Sequence, residues 1–325
     1  MALLPNLAQP PVRLGCTPFN VERLGFGTWA WGNKLLWGYE PDADLMLQAA
    51  FDSVIQPSSP LDRRRFFFDT GDSYGTGALE GQAERLLGRF RRESGWATRA
   101  VIGTKLAVYP TRLTGASFEE ACRSSLARMG RKRMEVVQAH WSATNFQPWQ
   151  EPALWDGLAR CYEAELAESV GTSNFGPEQL MKVNTYWRPA HRDSCGLFEA
   201  CAELGVTPIG YSPLALGLLS GKYDEQNLPA GPRGLLFKQI LPGLAPLLGV
   251  LNEVARARGK SVAAVALNWC MCKGALVIVG IKTPQQAAEN LSALGWRLRD
   301  AEVEELERAA RTVPRKATQN VFQTK

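Results

Sequence analysis

Histidine is scarce in this chain. There are two in 325 residues, and only His140 ends an apolar run. A typical zinc site takes three or four His, Cys or carboxylate ligands, so no metal centre is expected. Cysteine is odd in number at seven and scattered, which excludes a closed disulfide framework and points to a reducing compartment. Cys270 and Cys272 are one residue apart, which suits neither a redox CxxC nor a zinc knuckle, and they are expected in a helix. No uninterrupted apolar run reaches the roughly 18 to 20 residues of a bilayer span, so no transmembrane segment is expected. The opening MALLPNLAQPPVRLG lacks a signal-peptide core and is poor in Ser and Arg for a transit peptide. The expected compartment is the cytoplasm, or the chloroplast stroma if a transit segment is absent from this chain. Basic excess is slight, +5 from 37 basic and 32 acidic residues, and the runs Arg63 to Arg65 and Arg131 to Arg133 have no aromatic stacking platform beside them. Nucleic-acid binding is not expected.

What the chain does have is apolar residues, at 45%, and a regular alternation of short apolar runs with helical patterns. The runs RLGFGTW (23–29), FFFDT (66–70), AVIGTK (100–105), EVVQAHW (135–141), SVGTSN (169–174), VTPIGYS (206–212) and ALVIVG (275–280) read as seven strands. Between them SFEEACRSSLARMG is the clearest helix: Ser117 and Glu120 have capping-box spacing, Phe118, Cys122, Leu126 and Met129 repeat near 3.6, and Gly130 supplies the stop. Strands alternating with helices imply a parallel sheet, and their number implies an α/β fold of the (β/α)8 TIM-barrel class. No composition shift marks a linker, so residues 1–325 read as one domain. GFGTWA (25–30) matches a dinucleotide fingerprint, but no helix is expected before about Asp42, and that motif must open one.

One interval is too short. About 37 residues separate SVGTSN from VTPIGY, where two strand–helix units of this chain's own period would need more. The sixth barrel strand is expected to be missing or rebuilt. In its place TYWRPAHRDSC supplies Pro189 and His191.

The polar residues at strand ends carry the chemistry. In such a barrel the C-terminal strand ends converge on one face. Asp69 ends the second strand, Tyr74 lies in its loop, Lys105 ends the third and His140 the fourth. A carboxylate closing a run of three phenylalanines is costly unless a cation is near, and Lys105 can be that cation. A lysine beside a tyrosine is also expected to lower the phenol's pKa, making Tyr74 a usable proton donor or acceptor. His140 can hold a substrate oxygen. A phenol that protonates a developing alkoxide suits carbonyl reduction, with a cofactor supplying hydride. Trp29, Trp31, Tyr39 and Trp141 follow strand ends on the same face and are expected to line an aromatic substrate pocket.

These blocks, DTGDSYG (69–75), GTK (103–105), VVQAHW (136–141), VGTSNF (170–175), YSPLALGLLSGKY (211–223) and GIKTPQQAAENLSALGW (280–296), resemble in content and order those of the aldo-keto reductases. The likeness runs from about Leu14 to Val313, and the GTWAWG start resembles a plant and cyanobacterial branch. The resemblance implies a tetrad of Asp69, Tyr74, Lys105 and His140 with Tyr74 as general acid, a small carbonyl substrate, and NADP(H). It puts the nicotinamide carboxamide at Ser173 and Asn174, the stacking ring at Tyr211, and the pyrophosphate near Ser212, Leu214, Gly217 and Leu218. Gly280 opens the last block; Lys282 is the candidate for a 2′-phosphate, and Glu289 and Asn290 for the adenine. Thr283, Pro284 and Gln286 read as N-cap, N1 and N3 of a helix whose free N–H groups attract phosphate. Gln286 stands where many NADP-dependent members carry arginine. Members also carry a sixth-strand glutamine that holds the carboxamide, which is not found between Tyr186 and Ser194. The intact tetrad favours a reductase; the missing segment leaves open a nucleotide-binding or regulatory subunit resembling the β subunits of potassium channels.

Overall fold

A computed structural model of the chain describes residues 8–187, 201, 202, 204–314, 323 and 324. A short antiparallel ribbon, β1 (Val12–Arg13) and β2 (Asn20–Val21), precedes seven parallel strands: β3 (Leu24–Gly27), β4 (Phe66–Asp69), β5 (Ala100–Leu106), β6 (Met134–Ala139), β7 (Ala167–Thr172), β8 (Ile209–Tyr211) and β9 (Leu276–Gly280). Their order is β7-β6-β5-β4-β3-β9-β8. All seven coincide with the apolar runs read from the sequence. Among the described residues no strand lies between Thr172 and Ile209. Pro189, His191 and the expected sixth-strand gap lie outside the described residues.

The FFFD stretch shows how one strand serves two cores. Successive side chains of a strand point to opposite faces. Phe67 points to the barrel axis with Val101, Val136, Leu276 and Ile278, while Phe66 and Phe68 point outward to the helices. Asp69 shares the inward face of Phe67 by the same alternation. Leu14 and Val21 of the ribbon join the axial cluster and plug the N-terminal end of the barrel, so the opposite mouth is where a ligand can enter.

The glycine-rich GFGTWA stretch opens no long helix. β3 ends at Gly27, and the one-turn helix Lys34–Trp37 is capped separately by Asn33, whose side chain accepts from Leu36 N–H. The next full helix begins at Asp44.

The helix read from SFEEACRSSLARMG begins two residues earlier than that stretch, spanning Gly115–Met129. Its N-cap is Thr114, whose hydroxyl accepts from Ser117 N–H at 3.2 Å, while Ser117 Oγ accepts from Thr114 N–H at 3.3 Å. Ser117 is therefore the N3 member of the box, not the cap, and Glu120 is exposed. Serine can play the part usually given to Glu or Gln, which is why a search for the commoner pattern settles three residues late. Gly130 stops the helix in the left-handed conformation, φ +65°, as expected.

Helix Pro232–Arg258 has the length and apolar composition of a bilayer span. It also contains Pro242 and Pro246, and its stripe of Phe237, Leu241, Leu244, Leu247 and Leu251 is buried in a second core. That core is shared with helices Val262–Cys272, which holds Cys270 and Cys272, and Asp300–Arg311. The helix packs on one face as part of the barrel's outer layer.

Removing the true cap has a measurable cost. Thr114→Ala is expected to lower stability by about 1 kcal/mol in urea unfolding, whereas Glu120→Ala stays within about 0.5 kcal/mol. The reverse ranking would return the cap to Ser117.

Candidate active site

Asp69, Lys105, Tyr74 and His140 meet at the C-terminal mouth. Lys105 Nζ donates to both Asp69 oxygens at 2.6 Å and to Thr70 O at 2.9 Å. Both side chains of this pair are buried. Tyr74 closes a turn, its N–H bonded to Gly71 O at 3.0 Å, and Lys105 Nζ lies 5.1 Å from the centre of its ring. A Cβ at Gly71 would lie 3.3 Å from that ring. The His140 ring stands edge-on to Tyr74, 5.5 Å between centroids, with Nδ1 3.4 Å from Ser73 Oγ and Trp141 packed on its other side at 4.8 Å.

Burial decides most of the protonation states. It raises the Asp69 carboxyl, and Lys105 opposes that rise. It acts to lower the Lys105 ammonium, but Asp69 and Tyr74 outweigh it and hold the lysine above its ordinary value. The expectation that Lys105 would bring Tyr74 down is corrected in its net sign. Burial raises the phenol by more than Lys105 lowers it, so Tyr74 keeps its proton at neutral pH. Burial first, and then Lys105, lower His140 well below its ordinary value, so its imidazole is neutral, with one N–H to donate.

A second set of residues continues the mouth toward β9. Asn174, with φ +64°, donates from Nδ2 to His140 O at 2.9 Å and to Ser173 Oγ at 3.3 Å, and accepts from the Tyr211 hydroxyl at 3.0 Å. After Tyr211 the backbone takes positive φ at Ser212, Ala215, Leu216 and Gly217. Three of these have a Cβ, and such strain persists only where surroundings hold it. Leu214 is half-buried there and Leu218 is buried. Gly27 and Gly280 pair across β3 and β9, and a Cβ on either would meet nothing within 4 Å.

Thr283 caps helix Pro284–Leu291, its hydroxyl accepting from Gln286 N–H, and the Gln286 side-chain Oε1 accepts from Lys282 N–H at 2.8 Å. Glu289 is exposed; Asn290 is buried, with Nδ2 3.5 Å from Gly280 O. Lys282 Nζ lies 5.9 Å from the Trp37 ring centre and the Arg233 guanidinium 4.5 Å from the same ring. Burial, then Arg233 and Lys222, lower the Lys282 ammonium. Among the described residues none of these three cations pairs with a carboxylate, and Trp37 Nε1 and Arg233 Nε are buried without hydrogen-bond partners. Lys222 and Arg233 escaped the sequence reading. The first stands next to last in the YSPLALGLLSGKY block and was there to be noticed; nothing in sequence brings Arg233 to Lys282.

Two of the four aromatic residues expected in a pocket are core residues. Trp31 is fully buried, donates Nε1–H to Ile281 O at 2.9 Å and packs on Phe90. Tyr39 is buried with its hydroxyl bonded to Asp44 at 2.7 Å. A strand end followed by a long loop does not say which way a ring turns. Trp29, 37% exposed, and Trp141, half-buried over His140, remain at the mouth.

The neutral state of His140 has a sign that can be tested. Its folded pKa is depressed, so the unfolded chain binds the proton first, near pH 6.5. Stability should therefore fall as pH drops below about 6.5, by at most about 1.4 kcal/mol per pH unit for this one proton. His140→Asn should flatten the urea midpoint between about pH 7 and pH 5.5; an unchanged slope would mean that His140 is charged in the folded chain.

The Aldo/keto reductase family model matches residues 23–311. The chain is 46% identical over 334 residues to the chloroplastic pyridoxal reductase of Arabidopsis thaliana, covering 97% of this chain and 89% of that one. It is 31% identical over 261 residues to the L-glyceraldehyde 3-phosphate reductase of Escherichia coli, covering 70% and 74%. Its fold is like that of the glycerol dehydrogenase of Gluconobacter oxydans, with a TM-score of 0.73, 22% identity and coverage of 96% and 98%. The match across nearly the whole barrel leaves one conclusion: the chain belongs to the aldo/keto reductase family, oxidoreductases of carbonyl compounds.

Proposed function

We propose that residues 14–313 form one catalytic unit that reduces an aldehyde or ketone to its alcohol at the expense of NADPH, and that pyridoxal, an aromatic aldehyde, is the substrate to test first. The observation that carries this reading is a protonated phenol held against a buried lysine–carboxylate pair and a neutral imidazole. The name of the Arabidopsis relative supports the substrate, and the rings of Trp29 and Trp141 at the mouth suit its aromatic body. The same name makes the chloroplast stroma a proposed compartment beside the cytoplasm.

The residues beside the tetrad fit a nicotinamide dinucleotide. Ser173, Asn174 and Tyr211 would hold the nicotinamide end, Ser212, Leu214, Gly217 and Leu218 the pyrophosphate, and Gly280, Thr283, Gln286, Glu289 and Asn290 the adenosine end. Three cations without carboxylate partners and two buried N–H groups without acceptors, among the described residues, suit an anion at Lys282, Arg233 and Lys222, which favours the extra phosphate of NADP(H) over NAD(H). Bound there, the cofactor supplies hydride to the carbonyl carbon.

The chain's own groups complete the reaction. The neutral His140 N–H holds the carbonyl oxygen, and the Tyr74 phenol gives that oxygen its proton as negative charge develops on it. Lys105 then stabilises the phenolate left behind, and Asp69 keeps Lys105 charged. Solvent returns the proton to Tyr74.

With purified protein, pyridoxal should be consumed with loss of NADPH absorbance. Tyr74→Phe should lower kcat by about 100- to 10,000-fold while NADPH still binds. A folded protein that binds NADPH but turns over no aldehyde would instead be a nucleotide-binding subunit. Lys282→Met should weaken NADPH binding by about tenfold or more and leave NADH unchanged; equal losses for both would remove the 2′-phosphate from this lysine.

A further inference from the structure

The loop after β7 is tied to the end of the chain. Thr324 N–H donates to Asn174 O at 3.1 Å, and Gly176 N–H donates to Thr324 Oγ1 at 3.0 Å. Asn145 Nδ2 lies 3.5 Å from Gln323 O beside them. Thr324 is 7% exposed, and its partner Gly176 is 148 residues away in sequence. Asn174, whose carbonyl accepts the first of these bonds, has the left-handed φ of +64°. Its amide is already bound to His140 O, Ser173 Oγ and the Tyr211 hydroxyl, so the side chain links three elements of the mouth. Thr324 fixes the backbone that follows Asn174, on either side of Phe175.

We propose that Thr324 is a positioning residue for nucleotide binding. By bonding on both sides of Phe175 it holds the turn that presents Ser173 and Asn174 before a ligand arrives. It rests on the reading of Ser173 and Asn174 as the nicotinamide end of the site. The physical gain is preorganisation: a left-handed, non-glycine turn that is already held need not be ordered on binding. The hydroxyl matters more than the bulk of the side chain, because Oγ1 is the acceptor for the Gly176 amide.

Full-length Thr324→Val and Thr324→Ser and a chain lacking residues 323–325 separate this role from simple anchoring. Tryptophan fluorescence gives the NADPH Kd, and hydrogen exchange reports the amide of Gly176 in the nucleotide-free protein. Valine should speed that exchange and raise Kd about fivefold, and the deletion about tenfold or more, with kcat at saturating NADPH unchanged. Serine should restore both readouts. Faster exchange with an unchanged Kd would overturn positioning and leave an anchor only. Unchanged exchange would overturn the tie itself. Wild-type protein that binds neither NADPH nor NADH would overturn the cofactor reading, and this proposal with it.

Discussion

The mouth of the barrel is organised by one buried ion pair. Lys105 and Asp69 stand on adjacent strands, and the lysine reaches both carboxylate oxygens at 2.6 Å. Taking two charges out of water is expensive unless geometry and further bonds compensate, and here Thr70 O accepts the third ammonium bond. The strand register makes room for this. Asp69 pairs with Gly27 on one side and Gly103 on the other, and a Cβ at Gly103 would lie 2.5 Å from the Phe67 ring. The protonated Tyr74 and the neutral His140 both owe their states to burial around this pair, with Lys105 acting on each.

The strand that carries Lys105 also places a polar side chain, Thr104, on its other face. Thr104 donates to Glu84 at 2.5 Å, and Arg128 Nε donates to the other Glu84 oxygen at 2.5 Å. Glu84 is fully buried, and burial raises its carboxyl against the pull of Arg128 and Thr104. Helices Gln82–Glu93 and Gly115–Met129 are thereby fastened to β5 directly behind the tetrad. A rigid backing of this kind suits the proton-donor role proposed for Tyr74, in which the distance to the reacting oxygen has to stay fixed.

Charge is distributed very differently a short way along the mouth. Lys105 is neutralised by Asp69, whereas burial, then Arg233 and Lys222, lower the Lys282 ammonium, and the Trp37 indole lies against both Lys282 and Arg233. A compensated pair suits chemistry that must move one proton; an uncompensated cluster suits an anion brought from outside. The strained backbone at Ser212, Ala215 and Leu216 adjoins the cluster, where Leu216 O accepts from Arg233.

All seven described strands of the barrel were legible as apolar runs, because burial on both faces leaves an apolar run whatever the helices do. The polar residues at three strand ends and in one loop were legible for the same reason: a charge or phenol next to such a run has few explanations. Family resemblance supplied the proposed cofactor residues. What the sequence did not carry was direction and distance. It put Trp31 and Tyr39 at the mouth when both turn inward, and assigned the helix cap three residues late because Ser117 answers to two roles. It expected Lys105 to dominate the Tyr74 pKa, when the burial that outweighs it depends on the whole barrel. By itself the sequence determined the order of strands and the identity of the strand-end groups, since both are local properties of the chain. Only the tertiary structure decided that Arg233 reaches Lys282 and that Thr324 holds Asn174, because those contacts join segments whose separation along the chain carries no local signal.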